Sequence, residues 1–221
     1  MSESLNRLLA DLHAQRVATW EPSVLQVNID QRQRLVDEAR HEDFVKVGDT
    51  LEPFTLLKVE GGSVSRDELL AAGPAVLIFF RFAGCPACNI ALPYYQRRLY
   101  PQLHALGVPL LAVSPQVPER LVEIKTRHAL ELQVASDPDN QLGRRLGILY
   151  SFLAVPFSAL MPMMTNDHGS RMPLGRRSNS STPRSVSRLA IAALMVDCVL
   201  PSLRPAAENE PLFTTWTNIS S

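Results

Sequence analysis

The six-residue apolar run AVLIFF, at residues 75–80, leaves few folds open to this chain. A strand that is apolar on both faces must be covered on both, which is typical of the centre of a sheet flanked by helices. Two further strand-like runs lie at residues 107–115 and 132–138, and each is followed by a segment with helical spacing. Because strands and helices alternate, we predict an α/β fold with a central, mostly parallel sheet.

Two amphipathic helices are predicted before this region. Leucines within residues 5–12 recur at intervals of three and four, and a second helical pattern runs from about residue 23 to 40. We expect residues 1–44 to form an N-terminal helical extension that packs on the main domain or contributes to a possible homodimer. The main domain is expected at residues 45–165.

The regular pattern stops after about residue 150. Residues 169–188 contain six serines, five arginines and no acidic residue, which is typical of a loop or of disorder. We therefore predict that residues 166–221 form an irregular tail, degenerate or produced by a shifted reading frame. Within it, the apolar run at 188–200 has the composition of a helix or a strand, and Cys198 is interpreted as a packing residue.

The bulk composition excludes several classes of protein. The 22 basic and 22 acidic residues give zero net charge, so no attraction to nucleic acid or to an anionic membrane is expected. No stretch has the roughly 18–20 apolar residues needed to cross a bilayer, and the N-terminus lacks the apolar segment of a signal peptide. We expect a soluble, cytoplasmic protein.

The pair Cys85 and Cys88 forms a C-x-x-C motif directly after the apolar run. In a reducing compartment such a motif indicates redox chemistry or metal binding. A structural zinc site needs four ligands, and Cys198 and the five histidines show no ligand spacing, so we predict no metal and no other cofactor. A buried, inert pair of thiols is the remaining alternative.

The position of Cys85 favours redox chemistry. It follows a central strand and begins a helix, predicted from about Pro86 to Leu106, whose free N–H groups and dipole stabilise a thiolate. Pro86 suits the first helical turn, and Arg81 on the preceding strand adds positive potential. Cys88 lies one turn further in, where it is less exposed but within reach of a disulfide. We therefore predict that Cys85 attacks and that Cys88 resolves.

The motif and its flanks resemble a known family. Pro93 follows Cys88 by five residues, as in the active-site helix of thioredoxins. The segments VGDTLEPFTL, GPAVLIFFRFAGCPACN, LLAVSPQVPE and SDPDNQLGRRLGI resemble the alkyl hydroperoxide reductase / thiol-specific antioxidant branch of the peroxiredoxins. The resemblance covers about residues 1–150. It implies a thioredoxin-like fold, with Cys85 as the peroxidatic cysteine and Cys88 as its resolving partner.

The implied function is reduction of hydrogen peroxide or an alkyl hydroperoxide, with thioredoxin or another dithiol as reductant.

The sequence departs from the family in three places. Phe82 stands where a peroxide-positioning Thr or Ser is usual, and Gly84 stands where the similar subgroup has tryptophan. The family's later strands and proline loop have no clear counterpart after residue 150, where Met172-Pro173 is a weak candidate. Two alternatives therefore stay open: a thioredoxin-like thiol-disulfide oxidoreductase, and a catalytically disabled relative that acts as an interaction protein.

Overall fold

The apolar run forms a strand, and the rest of the sheet is built around it. The computed structural model describes residues 3–149 and the backbone of residues 189–192. In chain order the elements are α1 (Leu5–Thr19), α2 (Pro22–Asp37), β1 (Thr55–Lys58), β2 (Ser63–Ser65), α3 (Arg66–Leu70), β3 (Ala75–Phe79), α4 (Pro86–Arg98), α5 (Tyr100–Ala105), β4 (Leu110–Ser114), α6 (Pro118–Arg127), β5 (Gln133–Ser136), α7 (Gln141–Arg145) and β6 (Leu189–Ala192).

The described strands pair into one sheet in the order β2-β1-β5-β4-β3-β6. The pairs β5–β4, β4–β3 and β3–β6 are parallel. Between β3 and β4, Val76 lies opposite Leu110 and Phe79 lies opposite Val113. Strand β1 pairs antiparallel with β2 and with β5. All five residues of β4 are buried, as expected for a central strand covered on both faces. The predicted α/β architecture with a mostly parallel sheet is confirmed.

Strand β6 comes from the apolar run at residues 188–200. Its backbone pairs parallel with β3, so that Ala75 lies opposite Leu189 and Ile78 opposite Ala192. This part of the run is therefore a strand, and it covers the edge of β3 that would otherwise expose unpaired N–H and C=O groups. The other residues of the expected tail, including Met172, Pro173 and Cys198, lie outside the described residues.

Each face of the sheet carries its own hydrophobic core, because successive side chains of a strand point to opposite faces. Along β3, Ile78 belongs to one core and Leu77 to the other. The core around Ile78 contains Cys85 and Cys88, together with buried side chains of β4, α4 and α6. Both cysteines are thus built into the packed interior.

Helix α1 packs against α4. Leu5, Leu9 and Leu12, three of the leucines whose spacing predicted the helix, pack against the core that contains the cysteines. At the surface, Arg97 forms an ion pair with Glu3 at 3.0 Å. The N-terminal extension therefore contributes to the packing behind the cysteine helix. The boundary near residue 44 and the possible homodimer stay predictions.

The helix after the cysteines is shorter than the sequence pattern indicated. We expected one helix from Pro86 to about Leu106, but α4 ends at Arg98 and α5 begins at Tyr100. Pro101 explains the interruption, because its ring lacks an N–H and clashes with the carbonyl group four residues earlier. Pro93 lies inside α4, and the helix continues past it. The prediction of one continuous helix was therefore wrong after Arg98.

The segment between α2 and β1 is fixed to the end of α7. The Val45 N–H donates to the Leu146 carbonyl at 3.1 Å. Gly147 follows with a φ of +73°, and a Cβ placed there would overlap the backbone of Asp43 and Phe44. Gly143, inside α7, has room for a Cβ, with its nearest neighbours 3.9 Å away.

We predict that Gly147→Ala and Gly143→Ala have opposite consequences for stability. The first combines a left-handed backbone with a backbone clash, and should lower the free energy of unfolding by at least about 1–3 kcal/mol. The second replaces a helical glycine without a clash, and should leave that energy unchanged or raise it by up to about 1 kcal/mol. Urea unfolding of both variants measures this. Equal losses in the two variants would contradict the close approach of Gly147 to Asp43.

Candidate active site

Cys85 occupies the N-cap position of α4. The chain leaves β3, turns through residues 80–84 and enters the helix at Pro86, whose missing N–H costs nothing in the first turn. The Cys85 backbone is extended, with φ −66° and ψ 119°. Its carbonyl accepts the first helical hydrogen bond from the Asn89 N–H at 3.0 Å. This local geometry places the Cys85 sulfur beside the unpaired N–H groups of the first helical turn.

Both cysteines are buried and have free thiols. The exposed fraction is 2% for Cys85 and 0% for Cys88. The sequence predicted that Cys88 would be the less exposed of the two, and the structure agrees, but it encloses Cys85 almost as completely. Only 2% of the Cys85 surface is therefore open to a substrate.

The surroundings of Cys85 lower the pKa of its thiol to about 6. The largest cause is a hydrogen bond from the Cys88 thiol, which stabilises the Cys85 thiolate. Burial opposes this effect, because an apolar interior disfavours the charged form. The positive charge of Arg81 and the N–H groups of Cys88 and Ala87 lower the pKa further. Cys85 is thus a thiolate at neutral pH.

The pKa of Cys88 is raised well above its ordinary value. Its hydrogen bond to Cys85 is the main cause, followed by burial and by the negative charge of the neighbouring thiolate. The two sulfurs therefore differ in protonation at neutral pH: Cys85 has lost its proton and Cys88 keeps its own. This asymmetry makes Cys85 the more reactive nucleophile of the two.

Arg81 and Pro86, which were predicted to support Cys85, lie before and after it in the chain. The guanidinium of Arg81 lies 5.5 Å from the ring centre of Phe82 and contributes positive potential at the Cys85 sulfur. Pro86 is exposed at the first helical position. Phe82 is half-buried and offers no hydroxyl group. The supporting roles of Arg81 and Pro86 stay predictions.

Three polar side chains hold the loop before Cys85, and the sequence did not predict these contacts. The Asn89 amide donates to the Ala83 carbonyl at 2.7 Å and to the Cys85 carbonyl at 2.9 Å. The Gln116 side-chain oxygen accepts the Ala83 N–H at 2.8 Å. The Ser114 hydroxyl donates to the Arg81 carbonyl at 3.0 Å. The loop is therefore fixed by side chains of α4 and of the segment that ends β4.

Asn89 is itself held by the end of α6. Its side-chain oxygen accepts a hydrogen bond from Arg127 at 2.9 Å and lies 2.7 Å from the His128 Nε2. The sequence offered one signal for this role, since asparagine inside a helix is unfavourable unless its side chain has specific partners. The pairing with α6 could not be found from sequence, because 38 residues separate Asn89 from Arg127.

Asp137 and Ser114 bind backbone N–H groups just after the strands that they follow or end. The carboxylate of Asp137 accepts the N–H groups of Gln141 and Gly143, each at 3.0 Å, at the start of α7. The Ser114 hydroxyl accepts the Gln116 N–H in the turn after β4 and donates to the loop before Cys85. Over residues 3–149, no group of three or more His, Cys, Asp or Glu side chains is arranged to hold a metal ion. None of the described helices is long and apolar enough to span a bilayer.

The fold and the site define a class of protein: a thioredoxin-like α/β protein with a C-x-x-C thiol pair where a central strand gives way to a helix. The profile of the AhpC/TSA family matches residues 47–160, just over half of the chain. The chain therefore belongs to the AhpC/TSA family of peroxiredoxin-like proteins. This confirms the resemblance seen in the sequence.

Three individual proteins are similar to parts of this chain. The peroxiredoxin bcp of Haemophilus influenzae is 30% identical over 110 residues, which are 47% of this chain and 66% of that protein. Peroxidoxin BcpB of Mycobacterium tuberculosis superposes with a TM-score of 0.46 and 21% identity, covering 49% of this chain and 70% of that chain. Peroxiredoxin Q of Xanthomonas campestris gives 0.41 and 19%, covering 44% and 60%. The chain thus spans just under two thirds of the curated relative it matches.

We predict that alkylation of the reduced protein by iodoacetamide has a midpoint near pH 6 at Cys85, while Cys88 stays unmodified up to much higher pH. Thiolate is the reactive form, so the Cys85 rate should rise as the pH increases through its pKa of about 6. Peptide mapping across pH 4–10 measures both cysteines. Cys88→Ala removes the hydrogen-bonding thiol and should move the Cys85 midpoint upward. A wild-type midpoint at the ordinary cysteine value, about 8.5, would contradict the site geometry.

Proposed function

We propose that this protein reduces peroxides with Cys85 as the peroxidatic nucleophile and Cys88 as the resolving cysteine. One observation carries the proposal: two buried free thiols lie one turn apart at the start of α4, where Cys88, Arg81 and the helix N–H groups lower the pKa of Cys85 to about 6. Membership of the AhpC/TSA family supports peroxide as the substrate class. The substrate is hydrogen peroxide or an alkyl hydroperoxide.

The reaction proceeds in two steps on these two sulfurs. The Cys85 thiolate attacks one peroxide oxygen, the O–O bond breaks, and the second oxygen leaves as water or an alcohol after taking up a proton. Cys85 is thereby oxidised to the sulfenic acid, and the peroxide gains two electrons. The Cys88 sulfur then attacks the Cys85 sulfur, an S–S bond forms, and the S–O bond breaks to release water together with the Cys88 proton.

The cycle closes when an external dithiol, thioredoxin or a protein like it, reduces the Cys85–Cys88 disulfide by thiol exchange. Reduction returns both cysteines to the free thiols seen in the structure. A reducing, cytoplasmic location fits this requirement and is part of the proposal. Arg81 acts throughout as a fixed positive charge that favours the Cys85 thiolate.

A second candidate is thiol-disulfide exchange with protein substrates, and Phe82 favours it. A peroxide in the site needs donors for its oxygens, and the half-buried ring of Phe82 has none. Exchange with a disulfide requires only an activated thiolate and a resolving thiol. If neither activity is found, the third interpretation, a disabled relative that acts as an interaction protein, gains support.

We predict that one equivalent of hydrogen peroxide converts the reduced protein to a Cys85–Cys88 disulfide, detected by mass spectrometry after free thiols are blocked. Cys85→Ser should abolish peroxide consumption. Cys88→Ser should still react once and leave a sulfenic acid at Cys85 that dimedone traps. If the wild-type thiols stay alkylatable after peroxide but exchange with a model disulfide, the oxidoreductase candidate replaces the peroxidase.

We predict that Phe82→Thr raises the rate of the reaction with peroxide by about tenfold or more. A single well-placed hydrogen-bond donor at a developing negative charge contributes about 10²–10³ in rate, and the threonine hydroxyl supplies one. Phe82→Ala is the matched control, since it opens the same space without a donor. Stopped-flow measurement of thiol oxidation compares the three proteins. Equal acceleration in both variants would show that access, and not hydrogen bonding, limits the wild type.

A further inference from the structure

The loop that carries Cys85 is held by one side chain with four polar contacts. The Asn89 amide donates both of its hydrogens, one to the Ala83 carbonyl and one to the Cys85 carbonyl. Its oxygen accepts from Arg127 and faces the His128 Nε2. A primary amide has two N–H groups and one carbonyl oxygen, so all of its hydrogen-bonding groups are occupied.

We propose that Asn89 is a positioning residue, which holds the backbone of Ala83 and Cys85 so that the Cys85 sulfur stays between Arg81 and the first turn of α4. This rests on the proposed function of Cys85 as the nucleophile. Asn89 does not touch the reacting sulfur. It acts through the backbone on either side of Gly84, a residue without a side chain to restrict the loop.

The end of α6 sets the orientation of the Asn89 amide. Arg127 is a donor only, and so the atom that faces it must be the amide oxygen. His128 is half-buried and the pKa of its imidazole is lowered, mainly by burial and then by Arg127, so the neutral ring points its Nε2–H toward the same oxygen. With the oxygen fixed there, the amide nitrogen can only point at the loop carbonyls.

Gln116 acts on the same loop residue from the other side. Its side-chain oxygen accepts the Ala83 N–H at 2.8 Å, while Asn89 binds the Ala83 carbonyl at 2.7 Å. The backbone N–H and C=O of Ala83 are thus both held by side chains, one from the segment after β4 and the other from α4. A backbone fixed at Ala83 leaves little freedom to Cys85, two residues later.

The chain offers a matched control on the same helix. Gln96 lies seven residues after Asn89, on the same face of α4. Its side-chain oxygen accepts the N–H groups of Glu131 and Leu132, each at 3.0 Å, so it also ties α4 to the segment after α6. Gln96 differs from Asn89 in lying far along the helix from the cysteine loop.

The test compares Asn89→Ala and Gln96→Ala by the pH dependence of Cys85 alkylation with iodoacetamide. Asn89→Ala should raise the Cys85 midpoint by about one pH unit, which lowers the alkylation rate at pH 5 about tenfold. Gln96→Ala should lower the melting temperature without moving the midpoint. Asn89→Ser should give an intermediate shift, because a serine hydroxyl can bond the carbonyl four residues earlier, here that of Cys85. Asn89→Ser also serves as the test variant if Asn89→Ala does not fold.

The proposal is overturned if a folded Asn89 variant keeps the wild-type midpoint, or if Gln96→Ala shifts it equally. Alkylation needs no peroxide, so this result is independent of the proposed reaction. A wild type that consumes no peroxide, combined with a shifted midpoint in Asn89→Ala, would reject the peroxidase and keep the positioning role. If the wild type consumes peroxide but Asn89→Ala leaves the Cys85 midpoint unchanged, the peroxidase is kept and the positioning role is rejected.

Discussion

The hydrogen bond between the Cys88 thiol and the Cys85 sulfur lies inside the hydrophobic core, and the chemistry of the site depends on it. An isolated thiolate in that core would be strongly disfavoured, and burial does raise the pKa of Cys85. The thiol of Cys88, the charge of Arg81 and the N–H groups of the first helical turn together exceed that penalty. Sheet, loop and helix must therefore hold these groups in one place.

The surrounding fold supplies that rigidity from three directions. Strand β3, paired on both sides, fixes where the loop begins. Helix α1 covers α4 with three leucines, so the helix that carries Cys88 is packed on its outer face as well as on the sheet. Asn89, Gln116 and Ser114 then fix the backbone of the loop itself. The activated thiolate is thus a property of the packed domain.

Several features followed from sequence because their causes are local. Six consecutive apolar residues gave the central strand, and the position of Pro86 gave the start of α4. The Cys85–Cys88 spacing placed both sulfurs at one helix terminus. Prediction failed where distant contacts or a second proline intervened. Pro101 ends the helix earlier than the apolar pattern indicated, and the partner of Asn89 lies on another helix.

The sequence by itself determined the class of fold, the family and the pair of thiols, because strand patterning and the C-x-x-C spacing act over a few residues. Only the tertiary structure decided how deeply Cys85 is buried, how far its surroundings lower its pKa and which side chains hold the loop. It also decided that Leu189–Ala192 is a strand, since that run becomes one by pairing with β3. Burial and hydrogen-bond partners depend on residues brought together across the chain, and no local pattern encodes them.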